Sequence, residues 1–172
     1  MVTLVFVLAL LHLIFVCLWV LAKGQLGVLL AYPAIGKSWM ALFLAVKAWQ
    51  NGRVPMILSL EMTEQEVRNR IFTIIGNGKW SHRAISSGRV NNDEFKQWAE
   101  GNLVDKPPFK IVSNDGGSEV TPNVVRAKID QYKPDIVFID YLQLMQDNAG
   151  TSSNETVKIK NLVKRVKTIS NL

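Results

Sequence analysis

Three short strings in this 172-residue sequence carry side chains suited to a polyphosphate and a divalent cation: AYPAIGKS at 31–38, LSLEM at 58–62 and DIVFIDY at 135–141. In the first, an apolar run (LGVLLA, 26–31) turns into a helical stretch opening at Lys37. Backbone N–H groups at such a turn, at the N-terminus of a helix, curl around a phosphate. Pro33, Ala34, Ile35, Gly36, Lys37, Ser38 and Trp39 are therefore the expected ATP contacts. Gly36 lets the backbone approach closely, Lys37 reaches the β and γ phosphates, and Ser38 supplies a hydroxyl for Mg²⁺. The string fits the phosphate-binding loop pattern except that Ala31 replaces the first glycine. A Gly-Lys-Ser/Thr triplet alone arises by chance in on the order of one chain in ten of this length. The strand before and the helix after are what give it weight.

Asp140 ends an apolar strand, the position where an open parallel sheet presents its ligand groups. A lone aspartate there more often caps the next turn; paired with a phosphate loop, it can hold the Mg²⁺-bound water shell opposite Ser38. Glu61 follows the strand VPMILSL (54–60). A carboxylate at that edge can polarise a water attacking the γ-phosphate, and equally it can be a helix-entry residue favoured by the dipole. The residues alone leave those two level.

The elements that must position these groups follow from periodicity and punctuation. Short apolar runs alternate with helical stretches, the pattern of βαβ units around a parallel sheet. Strands are expected at 26–31, 54–60, 109–114 and from 135, and helices from about Lys37 to Gln50, from a Thr63 cap to about Ile75, and after Thr121-Pro122 to Tyr132. Residues 79–101 read as short polar helices. The last stretch is a basic amphipathic helix, with Ile159, Leu162, Val163, Val166 and Ile169 on one face and Lys160, Lys164 and Lys167 on another.

Composition sets outer bounds. One cysteine, Cys17, excludes an internal disulfide and a cysteine metal cluster. Residues 2–22 carry no charge, so the whole net charge of +6 lies outside them. A basic domain suggests a polyanionic partner, nucleic acid first, although a solvated lysine-rich surface explains the charge equally well. The uncharged run is long enough to cross a bilayer as a helix, and it lacks the basic start and cleavage site of a secretory signal. Three readings of residues 1–22 stand side by side: a transmembrane helix that tethers a domain spanning 23–172 to a membrane, a buried core or interface helix, or a foreign N-terminus.

Taken together, the strings GQLGVLLAYPAIGKS, SLEM with Arg70 on the next helix, SSGRVNNDEFKQW, VTPNVVRAKI and IDYLQLM resemble the motor domain of the DnaB replicative helicases, including phage versions. The resemblance covers roughly residues 24–172, and an opening Ala31 is common in that family. It implies an α/β RecA-like P-loop NTPase fold with a mainly parallel central sheet flanked by helices. It further implies a cytoplasmic, ATP- and Mg²⁺-dependent DNA helicase acting in DNA replication, with Glu61 as general base and Ser38 and Asp140 at the metal. Single-stranded DNA would be the partner of a homo-hexameric ring in the complete form, and the loop 146–155 would line its channel. The family's sensor motif, second DNA-binding loop and arginine finger should lie beyond Leu172. Since an arginine finger is worth roughly 10³ to 10⁵ in rate, this stretch is expected to bind ATP better than it hydrolyses it. A RecA- or KaiC-like ATPase and a nucleotide-binding module without productive turnover are the alternative readings.

Overall fold

The computed structural model describes residues 3–9, 24–32, 34–113, 120–146 and 155–170. Five parallel strands form one sheet in the order β2-β1-β5-β3-β4. In chain order these are β1 (Thr3–Ala9), β2 (Leu26–Ala31), β3 (Pro55–Ser59), β4 (Lys110–Ser113) and β5 (Ile136–Asp140). Six α-helices accompany them among the described residues: α1 (Lys37–Gln50), α2 (Glu64–Gly76), α3 (His82–Ser86), α4 (Asn92–Leu103), α5 (Pro122–Tyr132) and α6 (Glu155–Ser170).

Local chemistry explains the boundaries. Thr63 caps α2 with a reciprocal capping box to Glu66, Asn91 caps α4, and Thr121 with Pro122 opens α5. Alternation along each strand divides the core between the two faces of the sheet. Leu29, Ile57 and Phe138 meet Ala41, Leu42, Ala45 and Val46 of α1 and Val67 and Ile71 of α2. Met56, Leu58, Val137 and Ile139 meet Val125 and Ile129 of α5 and Leu162, Val166 and Ile169 of α6. The expected apolar stripe of the last helix is thus its buried one.

Over residues 3–9 the N-terminal run departs from both helical readings, the membrane helix and the buried helix. Residues 3–9 are not part of a membrane helix; they form β1, paired in parallel on both sides, to β2 and to β5. No helix among the described residues is long and apolar enough to cross a membrane. Residues 10–22 lie outside the described residues. The physical reason for the difference is that a continuous apolar run suits an inner strand of a helix-covered parallel sheet as well as it suits a helix in lipid.

The register brings Leu29, Val7, Asp140, Ser59 and Ser113 into one row across the sheet. Everything just beyond that row, on β2, β3 and β5, leaves the sheet at one edge. Phe138, 1% exposed, sits at the centre of the packing beneath that edge. Phe138→Ala should cost about 3–5 kcal/mol of stability, whereas Val104→Ala, at a residue 70% exposed, should change it by no more than about 0.5 kcal/mol; urea unfolding of the two variants checks the contrast.

Candidate functional site

Past β2 the chain turns through Tyr32 and residues 34–36 into α1. Gly36 stands at φ 94° as the N-cap of that helix. A Cβ built on it would meet nothing within 4 Å, so glycine is required there for the left-handed backbone and not for space. Lys37 begins α1, and its Nζ donates to the carbonyl of Tyr32 at 3.3 Å, folding the ammonium back over the loop. Ser38 and Trp39 follow on the same first turn.

Past β3, buried Ser59 shapes the next turn. Its hydroxyl donates to the Met62 carbonyl at 2.8 Å and accepts from the Met62 N–H at 3.0 Å. That pair closes the loop on which Glu61 is carried, and Glu61 is left exposed to solvent. At the end of β5 stands Asp140, on the same side of the sheet as Phe138, and therefore facing α1. The Leu60 N–H donates to the Asp140 carbonyl at 2.8 Å, locking the two strand ends together.

These three strand ends open into one cavity of about 590 Å³. Ala34, Gly36, Lys37, Ser38 and Trp39 line it from the loop and α1, Glu61 from the turn after β3, and Asp140 from β5. Of the residues expected at the site, Ile35 points elsewhere, 57% exposed and off the cavity wall, and Pro33 falls outside the described residues. Four further residues contribute to the wall: Met62, Glu66, Arg70 and Tyr141. Met62, Glu66 and Arg70 are four apart, so the entry and first turns of α2 turn one stripe toward the cavity. That spacing is the sequence signal that could have found them.

Asp140 is the electrostatic centre of the cavity. It is 3% exposed, and neither carboxylate oxygen has a hydrogen-bond partner. Burial pushes its pKa above the ordinary carboxylate value, and the negative charge of Glu61 adds to the rise; the neighbouring Ser38 hydroxyl, Lys37 and Arg70 pull it back. Ser38 thus favours the ionised form without completing a well-formed hydrogen bond. A buried carboxylate with no partner is costly, and a carboxylate facing a hydroxyl is the hard oxygen donor set that suits Mg²⁺. Among the described residues no three His, Cys, Asp or Glu side chains gather to hold a metal.

The loop 146–155, expected to face a nucleic acid, lies for the most part (147–154) outside the described residues.

The chain is similar to known proteins in sequence and in fold. The family model for the DnaB-like helicase C terminal domain matches residues 17–171. A probable plasmid replicative DNA helicase of Chlamydia trachomatis serovar L2 is 29% identical over 142 residues, covering 80% of this chain and 31% of its own. The replicative DNA helicase DnaB of Leifsonia xyli subsp. xyli is 31% identical over 142 residues, covering 78% of this chain and 30% of its own. Among solved structures, one described as an ATPase domain superimposes with a TM-score of 0.69 at 21% identity, over 98% of this chain and 52% of that one. That likeness establishes the RecA-like α/β fold. The chain spans about a third of the length of the curated relatives it matches.

The raised pKa of Asp140 makes stability depend on pH. In the pH window above the ordinary value of 3.8, the folded protein keeps a proton that the unfolded chain has lost, so stability falls as pH rises through the folded pKa. Asp140→Asn should therefore raise the thermal midpoint of the ligand-free protein at neutral pH, and the gain should shrink as pH is lowered through that window; melting curves of both proteins across pH 4–8 (roughly the range in which raised carboxylates titrate) provide the test.

Proposed function

Because the chain belongs to the DnaB-like helicase C terminal domain family, we propose that it is the motor part of an ATP-dependent DNA helicase, coupling ATP hydrolysis to movement along single-stranded DNA in replication. The observation that carries this reading is the unpaired, buried carboxylate of Asp140 set beside Ser38 and Lys37 in one cavity. A nucleoside triphosphate with Mg²⁺ is the ligand whose charges satisfy that arrangement.

In this reading the turn at 34–36 offers its N–H groups to the β-phosphate. Lys37 leaves the Tyr32 carbonyl and donates to the β and γ phosphates. Ser38 and Asp140 would hold Mg²⁺, which would screen the phosphate charge. Glu61, exposed at the mouth of the cavity, accepts a proton from the attacking water. An accessible carboxylate suits that role, because the water it must polarise can reach it. Single-stranded DNA and a homo-hexameric ring belong to the same proposal for the complete protein.

Two substitutions separate binding from turnover. Lys37→Ala should remove most affinity for a fluorescent ATP analogue, because the cation and its charge-assisted contacts vanish together. Glu61→Gln should leave that affinity within about twofold and abolish hydrolysis by the assembled, full-length helicase, since only the proton acceptor is lost. Unchanged hydrolysis in the glutamine variant would remove Glu61 from the role of base.

A further inference from the structure

Among the described residues, Arg70 is the cation on the cavity wall that the foregoing chemistry leaves unused. It projects from the second turn of α2 and lines the cavity together with Glu61 and Lys37. Its Nε is buried and has no hydrogen-bond partner, and no ion pair with it forms among the described residues. Its guanidinium carbon lies 5.3 Å from the centroid of the Trp39 ring. Trp39 is the residue directly after Ser38, and its ring is met edge-on by His82 at 5.1 Å. The charge of Arg70 is felt at Asp140 as well.

A purely structural explanation of these facts falls short. Stacking on Trp39 alone is worth about 0.5–2 kcal/mol. A buried donor left without a partner costs about 1–3 kcal/mol, so stacking does no more than offset the loss. A guanidinium presents five donors in a rigid fork, a geometry matched to phosphate oxygens. Here the fork stacks on an aromatic face from the first turn of α1, in a cavity whose wall also carries Glu61 and Lys37.

We infer that Arg70, held by Trp39, is a second phosphate-binding residue of this chain, contacting the terminal phosphate of a nucleoside triphosphate and so distinguishing triphosphate from diphosphate. The inference rests on the nucleotide site proposed above and assigns to it the selectivity between its two forms. Trp39 is a positioning residue: it fixes the plane and reach of the guanidinium without touching the phosphate. Lys37 and the loop N–H groups serve both nucleotides, whereas Arg70 serves only the one with a third phosphate.

The test compares Mg·ATP and Mg·ADP affinities of the full chain, by displacement of a fluorescent nucleotide. Arg70→Gln should weaken ATP binding about tenfold, the value of one charged hydrogen bond, and leave ADP binding within about twofold, which also shows that the variant is folded. Arg70→Lys should recover part of the ATP preference, Trp39→Phe should keep it, and Trp39→Ala should lose part of it. Parallel loss of ATP and ADP affinity in Arg70→Gln, or no loss of either, would overturn the assignment while sensitivity to Lys37→Ala leaves the nucleotide site standing. Insensitivity of both nucleotides to Lys37→Ala would overturn the site and Arg70's role together.

Discussion

Asp140 is a carboxyl group that the fold buries and does not satisfy, and much of the surrounding architecture is the means of keeping it there. Desolvation of a carboxylate is expensive, and a protein without a use for the charge gains stability by replacing it. Here the strand that carries it, β5, is an inner strand with partners on both sides. The backbone carbonyl of Asp140 is tied to Leu60, and the side chain is turned toward the start of α1. The core beneath, around Phe138 and Ile57, fixes α1 on the same face, so the hydroxyl of Ser38 and the ammonium of Lys37 arrive at the charge as a consequence of helix packing. Stability is given up at one point and held by the apolar contacts on both faces of the sheet.

Parallel strands make this possible because all of their C-terminal ends leave on one edge. The phosphate loop, the Glu61 turn and Asp140 come from β2, β3 and β5, strands that the register aligns to a single row. β1 stands between β2 and β5, so the loop and the aspartate are separated by two inter-strand spacings, about 10 Å. A cavity able to take a polyphosphate needs that width. The seven residues of β1 therefore set the distance across which the phosphate loop and Asp140 face each other, although none of them is expected to be a ligand.

Much of this was readable from residue types. The caps at Thr63 and Thr121, the glycine-lysine-serine turn and the strand-ending Asp140 each announce local chemistry that tertiary packing then leaves intact. What was not readable has specific causes. Thr3–Ala9 belongs to a longer uncharged stretch, and apolar content without alternation does not separate an inner strand of a covered sheet from a helix in a bilayer. Ile35 shares the loop of Gly36 and Lys37, yet the turn throws it outward; a linear string does not say which of its members face a ligand. Arg70 and Glu66 lie outside every phosphate-binding string and reach the cavity only because α2 begins at the Ser59–Met62 turn, which sets the phase of its faces.

In the proposed nucleotide complex, one divalent cation and one triphosphate bridge Ser38, Lys37 and Asp140 in the cavity between β2 and β5. A crystal structure of the protein with Mg²⁺ and a non-hydrolysable ATP analogue measures it most directly. The expected result is the β and γ phosphates beside Lys37, with the cation between the Ser38 hydroxyl and the Asp140 carboxylate and Asp140 no longer unpaired. Phosphates bound away from the 34–38 turn, or a cation held without Ser38 and Asp140, would contradict it.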